Sequence, residues 1–322
     1  MCKYNLSEKI CWLISLIIAG CIFPSYAEIT LDGSFGTTST LPGSDYMIGA
    51  ELGSQAGNNL FHSFGEFNIE PGGSATFTGA AHIENIIGRV TGGNPSLING
   101  ALISNIPNAD LYLLNPNGVM MGENASLNIN GSFYLSSADY LRFADGQQFD
   151  THFSTSPTLS VAAPQAFGFL DQNMGNLIIQ NNQLSVPEGK DLSIVGRDIG
   201  ITNSILSSFG GHISIASAKS AGEVPRADVM NNTLSQQGNI VIQGSQIINV
   251  GSPNFPQDNA VTISGGQIWL NSSVIQGVES TGDIEIASHS QLQIKSSILQ
   301  TQNIQGQAGN FIFTAHINEH RG

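Results

Sequence analysis

Past residue 21 the 322-residue chain contains no cysteine; Cys2, Cys11 and Cys21 are its only three. The remainder cannot be stapled by disulfides and has to be held by a buried core, for which its length and 40% hydrophobic content suffice. Charge is nearly as scarce. Only 11% of residues are Asp, Glu, Lys or Arg, about half the share of an ordinary globular domain. That argues against a helix-rich enzyme or a coiled coil, because exposed helices are normally coated with those residues. The deficit is deepest for bases: 10 Lys and Arg stand against 24 Asp and Glu. No cationic footprint exists for phosphates or anionic lipid heads, and nucleic-acid binding is set aside. No apolar run reaches the roughly 18 residues that a membrane-spanning helix needs.

What the N-terminus does contain is an export leader. Lys3 and Lys9 form a positive start, Ile10 to Phe23 is an apolar run, and Ser25-Tyr26-Ala27 supplies small residues at the positions a signal peptidase inspects. Cleavage between Ala27 and Glu28 is expected, leaving a cysteine-free, unanchored product. A competing reading is the lipobox-like Ile18-Ala19-Gly20-Cys21, after which Cys21 would be acylated.

Glycine (37 residues), Asn, Ser and Gln fill the polar part of the chain, and a short element recurs among them. Gly189-Lys-Asp-Leu-Ser-Ile, Gly211-His-Ile-Ser-Ile-Ala, Gly238-Asn-Ile-Val-Ile-Gln, Ala260-Val-Thr-Ile-Ser-Gly, Gly282-Asp-Ile-Glu-Ile-Ala and Gly309-Asn-Phe-Ile-Phe-Thr alternate apolar and polar residues after a turn residue. Period two is strand periodicity. With Leu192, Ile213, Ile240, Val261, Ile284 and Phe311 taken as equivalent, the spacings are 21, 27, 21, 23 and 27 residues, the mark of a solenoid. Further strand-like runs inside each unit, such as Gln246-Ile-Ile-Asn-Val250 and Gln267-Ile-Trp-Leu270, favour the coil of a parallel β-helix over a leucine-rich repeat, whose Leu and Asn ladder is missing. A β-sandwich shares the short strands and turn signals but not the multi-strand unit. About 12 such coils would absorb the chain after Ala27.

Five ordered blocks in the first half go beyond periodicity: Asn59-Leu-Phe-His-Ser-Phe-Gly-Glu-Phe-Asn-Ile69, Arg89-Val-Thr-Gly-Gly-Asn-Pro-Ser96, Leu111-Tyr-Leu-Leu-Asn-Pro-Asn-Gly-Val119, Ala125-Ser-Leu-Asn-Ile129 with Gly131-Ser-Phe133, and Leu141-Arg-Phe-Ala-Asp145. Asn115-Pro116-Asn117-Gly118 is a turn by its chemistry, since the Asn side chain can bond the backbone two residues on, Pro sets φ, and Asn-Gly accepts positive φ. The cluster Gly92-Gly93-Asn94-Pro95 reads the same way. Each is either a corner alone or a corner that is also recognised. His62, between Phe61 and Phe64, reads as a partly packed histidine and not as a ligand.

Together these blocks resemble the filamentous haemagglutinin N-terminal domain, the secretion domain of two-partner secretion exoproteins, over roughly residues 28 to 170. The resemblance implies an all-β fold, a right-handed parallel β-helix with an N-terminal cap of extra strands. It divides the chain into a leader (1–27), a secretion and haemagglutination-activity domain (28–170) and a β-helical continuation (171–322). It further implies recognition by an outer-membrane transporter, a secreted or cell-surface location, and adhesion to a host or cell-surface glycan or protein. Asn115, Pro116, Asn117 and Gly118 would be tied to secretion competence, with no cofactor and no catalysis. One departure concerns 79–88, which lacks the second Asn-Pro-Asn-Leu-type turn of many members and puts an extrahelical hairpin in doubt.

The rival readings are a β-helix polysaccharide-degrading enzyme and a cytolysin or toxin secretion module. The enzyme needs converging carboxylates or bases in a groove. Lys190-Asp191 and Arg197-Asp198 read instead as polar corners flanking Leu192 to Val195. His316-Ile-Asn-Glu-His320 has zinc-ligand spacing but follows a strand-like run with no helical periodicity. The last such run, Phe311-Ile-Phe-Thr, has only eight residues after it and no polar cap, from which a truncated, aggregation-prone rod is expected.

Overall fold

The computed structural model describes residues 28–170, 174–255, 259–279, 282–303 and 308–315. The leader through Ala27, the three cysteines and the His316 to His320 pattern lie outside them. Alternating strands place one set of side chains inward and the other outward. Here they wind into a parallel β-solenoid of about 10 turns with three sheet faces. On the first face Leu60, Ile86, Leu111, Phe133, Leu192, Ile213, Val261, Ile284 and Phe311 stand in register, one per coil. Leu177, Ile199, Ile240, Ile268 and Leu292 form the matching row of the second face, and Leu184, Leu206, Ile247, Ile275 and Leu299 that of the third. These rows and their neighbours merge into one continuous core.

One of the six positions expected to be equivalent is not. Ile240 belongs to the second face, above Ile199, so Ile213 and Val261 are adjacent rungs. The reason is an insertion over 218–238 that leaves the solenoid between two faces and carries the strand Gly222–Pro225. A larger insertion follows Phe133–Ser136 and returns at Leu177–Gln180. Residues spent in these excursions account for about 10 turns where about 12 were expected. Phe133 pairs directly with Leu192, so strands before and after position 170 belong to one stack.

The two insertions meet outside the solenoid as a four-stranded antiparallel sheet of Gln148–Asp150, Tyr140–Phe143, Pro164–Phe169 and Gly222–Pro225. It covers the first face where that face is apolar outward as well as inward. Phe61, Ile87, Tyr112 and Tyr134 form this outward row and pack with Leu141, Phe143, Phe149 and Phe167 in a second core. Beyond Tyr134 the same row continues as polar residues, Ser193, Ser214, Thr262 and Glu285, of which Ser193 and Thr262 are still buried. The second insertion is clasped by Arg142 to Glu223 at 2.8 Å, by the Tyr140 hydroxyl donating to Glu223 at 3.0 Å, and by Arg226 donating to the Tyr134 hydroxyl at 2.6 Å. In the 79–88 interval the chain makes a turn and enters the strand Asn85–Val90, while the extrahelical strands come from elsewhere in the chain.

At the N-terminal end, the edge of Asn59–Phe67 is closed by two antiparallel strands, Ile29–Leu31 and Ser54–Ala56, and Ser39–Thr40 pairs in turn with the first of these. A parallel edge left open would template foreign strands.

The corner from second to third face repeats with one residue type after another. Asn181, Asn203, Gly244, Ser272 and Ser296 all have positive φ, and each is followed by a polar residue turned inward. The hydroxyls of Ser204, Ser245, Ser273 and Ser297 each donate to the carbonyl two residues back (2.8 to 2.9 Å). Each also accepts the N–H of its counterpart in the preceding coil, at 3.2, 3.0, 3.2 and 3.1 Å. Replacing Ser245, 1% exposed, by Ala strands the buried Ser204 N–H and is expected to lower unfolding stability by about 1–3 kcal/mol. Ser297→Ala also removes the acceptor of the Ser273 N–H, but at a corner that water reaches more readily, and is expected to cost less than Ser245→Ala; urea unfolding of the two variants checks the contrast.

Candidate functional site

Both sequence turn clusters and both insertions occupy one edge of the solenoid, where the first face passes to the second. The chain crosses this edge at Gly65 to Asn68, then at Thr91 to Pro95, at Asn115 to Gly118, and at Gly175-Asn176 on returning from the first insertion. The two clusters kept apart by about 20 residues of sequence are therefore stacked rungs. Asn115 donates its side-chain amide to the Asn94 carbonyl (3.0 Å) and the Ser96 hydroxyl (2.9 Å). Its side-chain oxygen accepts the Asn117 N–H at 2.9 Å, closing the turn expected from Asn-Pro-Asn-Gly, and Gly118 N–H donates to the Asn115 carbonyl at 2.9 Å. Asn117 reaches across to the Gly92 carbonyl at 2.7 Å, and Asn94 reaches one rung further to Glu66 at 2.8 Å.

Two glycines are required here. Gly118 sits at φ +101°, and an added Cβ would meet the Asn176 carbonyl oxygen at 2.5 Å. A Cβ on Gly92 would lie 1.9 Å from the Gly65 carbonyl oxygen. Burial divides the motif residues. Asn115 is 0% exposed and Gly118 is buried, whereas Pro116 and Asn117 are half-buried and Gly93, Asn94 and Pro95 are exposed. Asn115 frames the corner from inside, and the exposed rim is what another molecule can touch.

Behind the rim lies a polar network that the motifs did not announce. Arg89, opening the second cluster's block, is 1% exposed. It donates through Nε to Ser63 Oγ (2.7 Å) and through Nη2 to Ser34 Oγ (3.0 Å), bonds the Asp150 carbonyl through Nη1, and lies 4.4 Å from the Phe149 ring centre. Burial lowers its pKa, partly offset by the Asp32 and Asp150 carboxylates. Burial also pushes Asp32 upward, but the hydroxyls of Ser63, Thr91 and Ser34 and the Ser34 N–H outweigh it and hold the carboxyl below its ordinary value. One arginine thus ties the N-terminal cap, the second coil and the extrahelical sheet. Asn59 acts similarly, donating to the carbonyls of Ser160 and Ala162 at 2.9 and 2.7 Å. The available sequence signal was burial on both sides of a strand: Asp110-Leu-Tyr-Leu-Leu114 is apolar without alternation, as strands covered on both faces are.

The remaining candidates are placed as follows. His62 takes an inward position on the first face, 0% exposed, stacked near Phe64 and tilted against Phe77, and is fully packed where partial packing was expected. The Asp191 and Asp198 carboxylates accept the N–H of His212 (2.9 Å) and Asn239 (2.6 Å) in the next coil, so these corners bridge rungs. Among the described residues no group of three His, Cys, Asp or Glu side chains is placed to hold a metal ion.

The family model described as TPS secretion domain matches residues 27–286. Among solved structures, one titled crystal structure of filamentous hemagglutinin secretion domain aligns with 90% of this chain and 97% of its own, at 16% identity and a TM-score of 0.46. No curated protein matches.

The buried histidine generates a pH prediction. Desolvation pushes the His62 pKa down to about 3, against a smaller opposing pull from the Leu52 backbone. The unfolded chain takes up this proton near pH 6.5 and the folded chain does not, so the stabilisation is complete above about pH 6.5 and is lost as pH falls toward 3. Between pH 7 and pH 5 the loss is about 2 kcal/mol. Unfolding free energies from urea titrations at the two pH values are expected to differ more in the parent chain than in His62→Leu by that amount.

Proposed function

The chain belongs to the TPS secretion domain family, and from that premise we propose that it is a non-catalytic adhesin exported through an outer-membrane transporter of the two-partner type. Export begins with the leader ending at Ala27, passes through the periplasm, and delivers the chain to the cell surface or medium. Within this reading 28–170 contains the part the transporter recognises, and the coils of 171–322 supply adhesive surface.

The observation that carries the transporter assignment is the stacked corner. Its buried half, Asn115 and Gly118, holds two rungs together, while Gly93, Asn94 and Pro95 present a rim to solvent. A transporter that meets the chain at this rim recognises a surface, and one that screens for the fold senses Asn115 indirectly. Support for the adhesive reading comes from the solenoid's broad sheet faces. The polar groups around these rungs, Asp191 with His212 and Arg226 with the Tyr134 hydroxyl, are engaged with one another across rungs and insertions.

The test is fractionation of cells expressing the chain with and without a cognate transporter. Transporter-dependent appearance in the medium is expected, and retention in the periplasm in both cases overturns the assignment. Asn94→Ala with Pro95→Ala is expected to cost under about 0.5 kcal/mol, as exposed substitutions do, yet to reduce export severalfold. Asn115→Ala, which leaves the buried Ser96 hydroxyl and Asn94 carbonyl without their donor, is expected to lose about 1–3 kcal/mol and to reduce export as well. Full export of the Asn94 and Pro95 variant places recognition elsewhere.

A further inference from the structure

Only two tryptophans occur in the chain, Trp12 in the leader and Trp269. The second is not in the core. It points outward from the second face, partly exposed, between the buried inward residues Ile268 and Leu270. Its row across the coils is Ile178, Gly200, Val241, Trp269 and Gln293, each at the same register position of successive strands. Gly200 interrupts the row: an added Cβ there would meet nothing within 4 Å, so the stripe has a notch between Ile178 and Val241. Beside this apolar line runs a second outward row, Thr202, Gln243, Asn271 and Lys295. In a chain of net charge −14 these two rows carry no carboxylate, and Lys295, at the end, is their one cation; on the row before them stands Asp198, whose carboxylate accepts the Asn239 N–H at 2.6 Å.

We infer that this second-face stripe is a binding site for an uncharged, hydroxyl-rich polysaccharide. An apolar ring and aliphatic line match the C–H faces of sugar rings, and a tryptophan offers that area rigidly, with little rotamer entropy to lose on binding. The adjoining amides and hydroxyl each donate and accept, as sugar hydroxyls do. Their spacing of about 4.8 Å from rung to rung makes the site a linear track that a chain-like ligand can follow. Charge selects further. A polyanion finds one base at the edge, and a polycation finds no acid except Asp198, already bonded to the Asn239 N–H. The extrahelical sheet packs over the first face and leaves this one open. The inference deepens the adhesive half of the proposed function and names its ligand class, but binding itself requires no transporter.

The experiment uses purified full-length chain carrying Trp12→Phe, in which Trp269 is the sole tryptophan. Soluble β-glucan and galactomannan are the neutral probes and heparin the anionic one. Saturable change in Trp269 emission with a neutral probe, and none with heparin, is expected. Gln243→Ala with Asn271→Ala, which leaves the fluorophore in place, is expected to weaken the affinity about tenfold with an unchanged circular dichroism spectrum. Trp269→Ala, followed by calorimetry, is expected to abolish binding. An emission unchanged by either neutral probe, a response to heparin alone, or emission changes that track self-association in light scattering each overturn the assignment. None of these outcomes bears on transporter-dependent export, which fractionation decides separately.

Discussion

The constraint on which the rest of this structure depends is that a single coil cannot satisfy its own backbone. Its strands donate to the rung on one side and accept from the rung on the other, so a coil is stable only where a neighbour has already formed. At faces the parallel ladders meet this demand. At corners, where strand pairing stops, side chains take over: the serine hydroxyls at 204, 245, 273 and 297 on one edge, and the carboxylates of Asp110, Asp191, Asp198 and Asp283, which accept the N–H of Ser132, His212, Asn239 and Asn310 in the following coil. The same constraint explains the scarcity of charge. Equivalent residues lie directly above one another about 4.8 Å apart, and like charges at that spacing repel. Asparagine, glutamine, serine and threonine can be stacked without that penalty, and the four aspartates named above are spent on backbone donors.

Such a stack needs a start. The antiparallel strands Ile29–Leu31 and Ser54–Ala56 close the edge of the first long strand, and the Arg89 network joins this cap to the second coil and to the extrahelical sheet. The Arg89 network and the two turn clusters all lie on the first few rungs. The two recognisable turns lie on the edge from which the insertions depart, so the corner that a transporter can inspect is also the corner whose geometry reports whether the first rungs have stacked. From Glu28 onward the chain has no cysteine to cross-link it, and each rung, once formed, supplies the backbone partners on which the next one folds.

How much of this was legible in the residues depends on how local its cause is. Strand periodicity, the solenoid and the turn at Asn115 to Gly118 were readable because alternation and Asx-Pro-Asn-Gly chemistry act within a few residues. The placement of Ile240 was not, because an insertion of the right length imitates one coil: Ile213 to Ile240 spans a plausible period, and only pairing shows that Ile240 sits above Ile199 on another face. The second core was hidden for a related reason. Phe61, Ile87, Tyr112 and Tyr134 lie far apart in sequence and become one apolar wall only when their coils align, which is also what brings Asp32 and Phe149 to Arg89.

By itself the sequence determined the repeat, the corner chemistry, the cysteine-free interior and the family, all consequences of side-chain type at short range. Tertiary structure alone decided which turns are stacked, which half of each faces solvent, and where the insertions fold back to form an outer sheet. The reason is that register between coils is set by the length of everything between two rungs, and that length becomes geometry only when the backbone hydrogen bonds close.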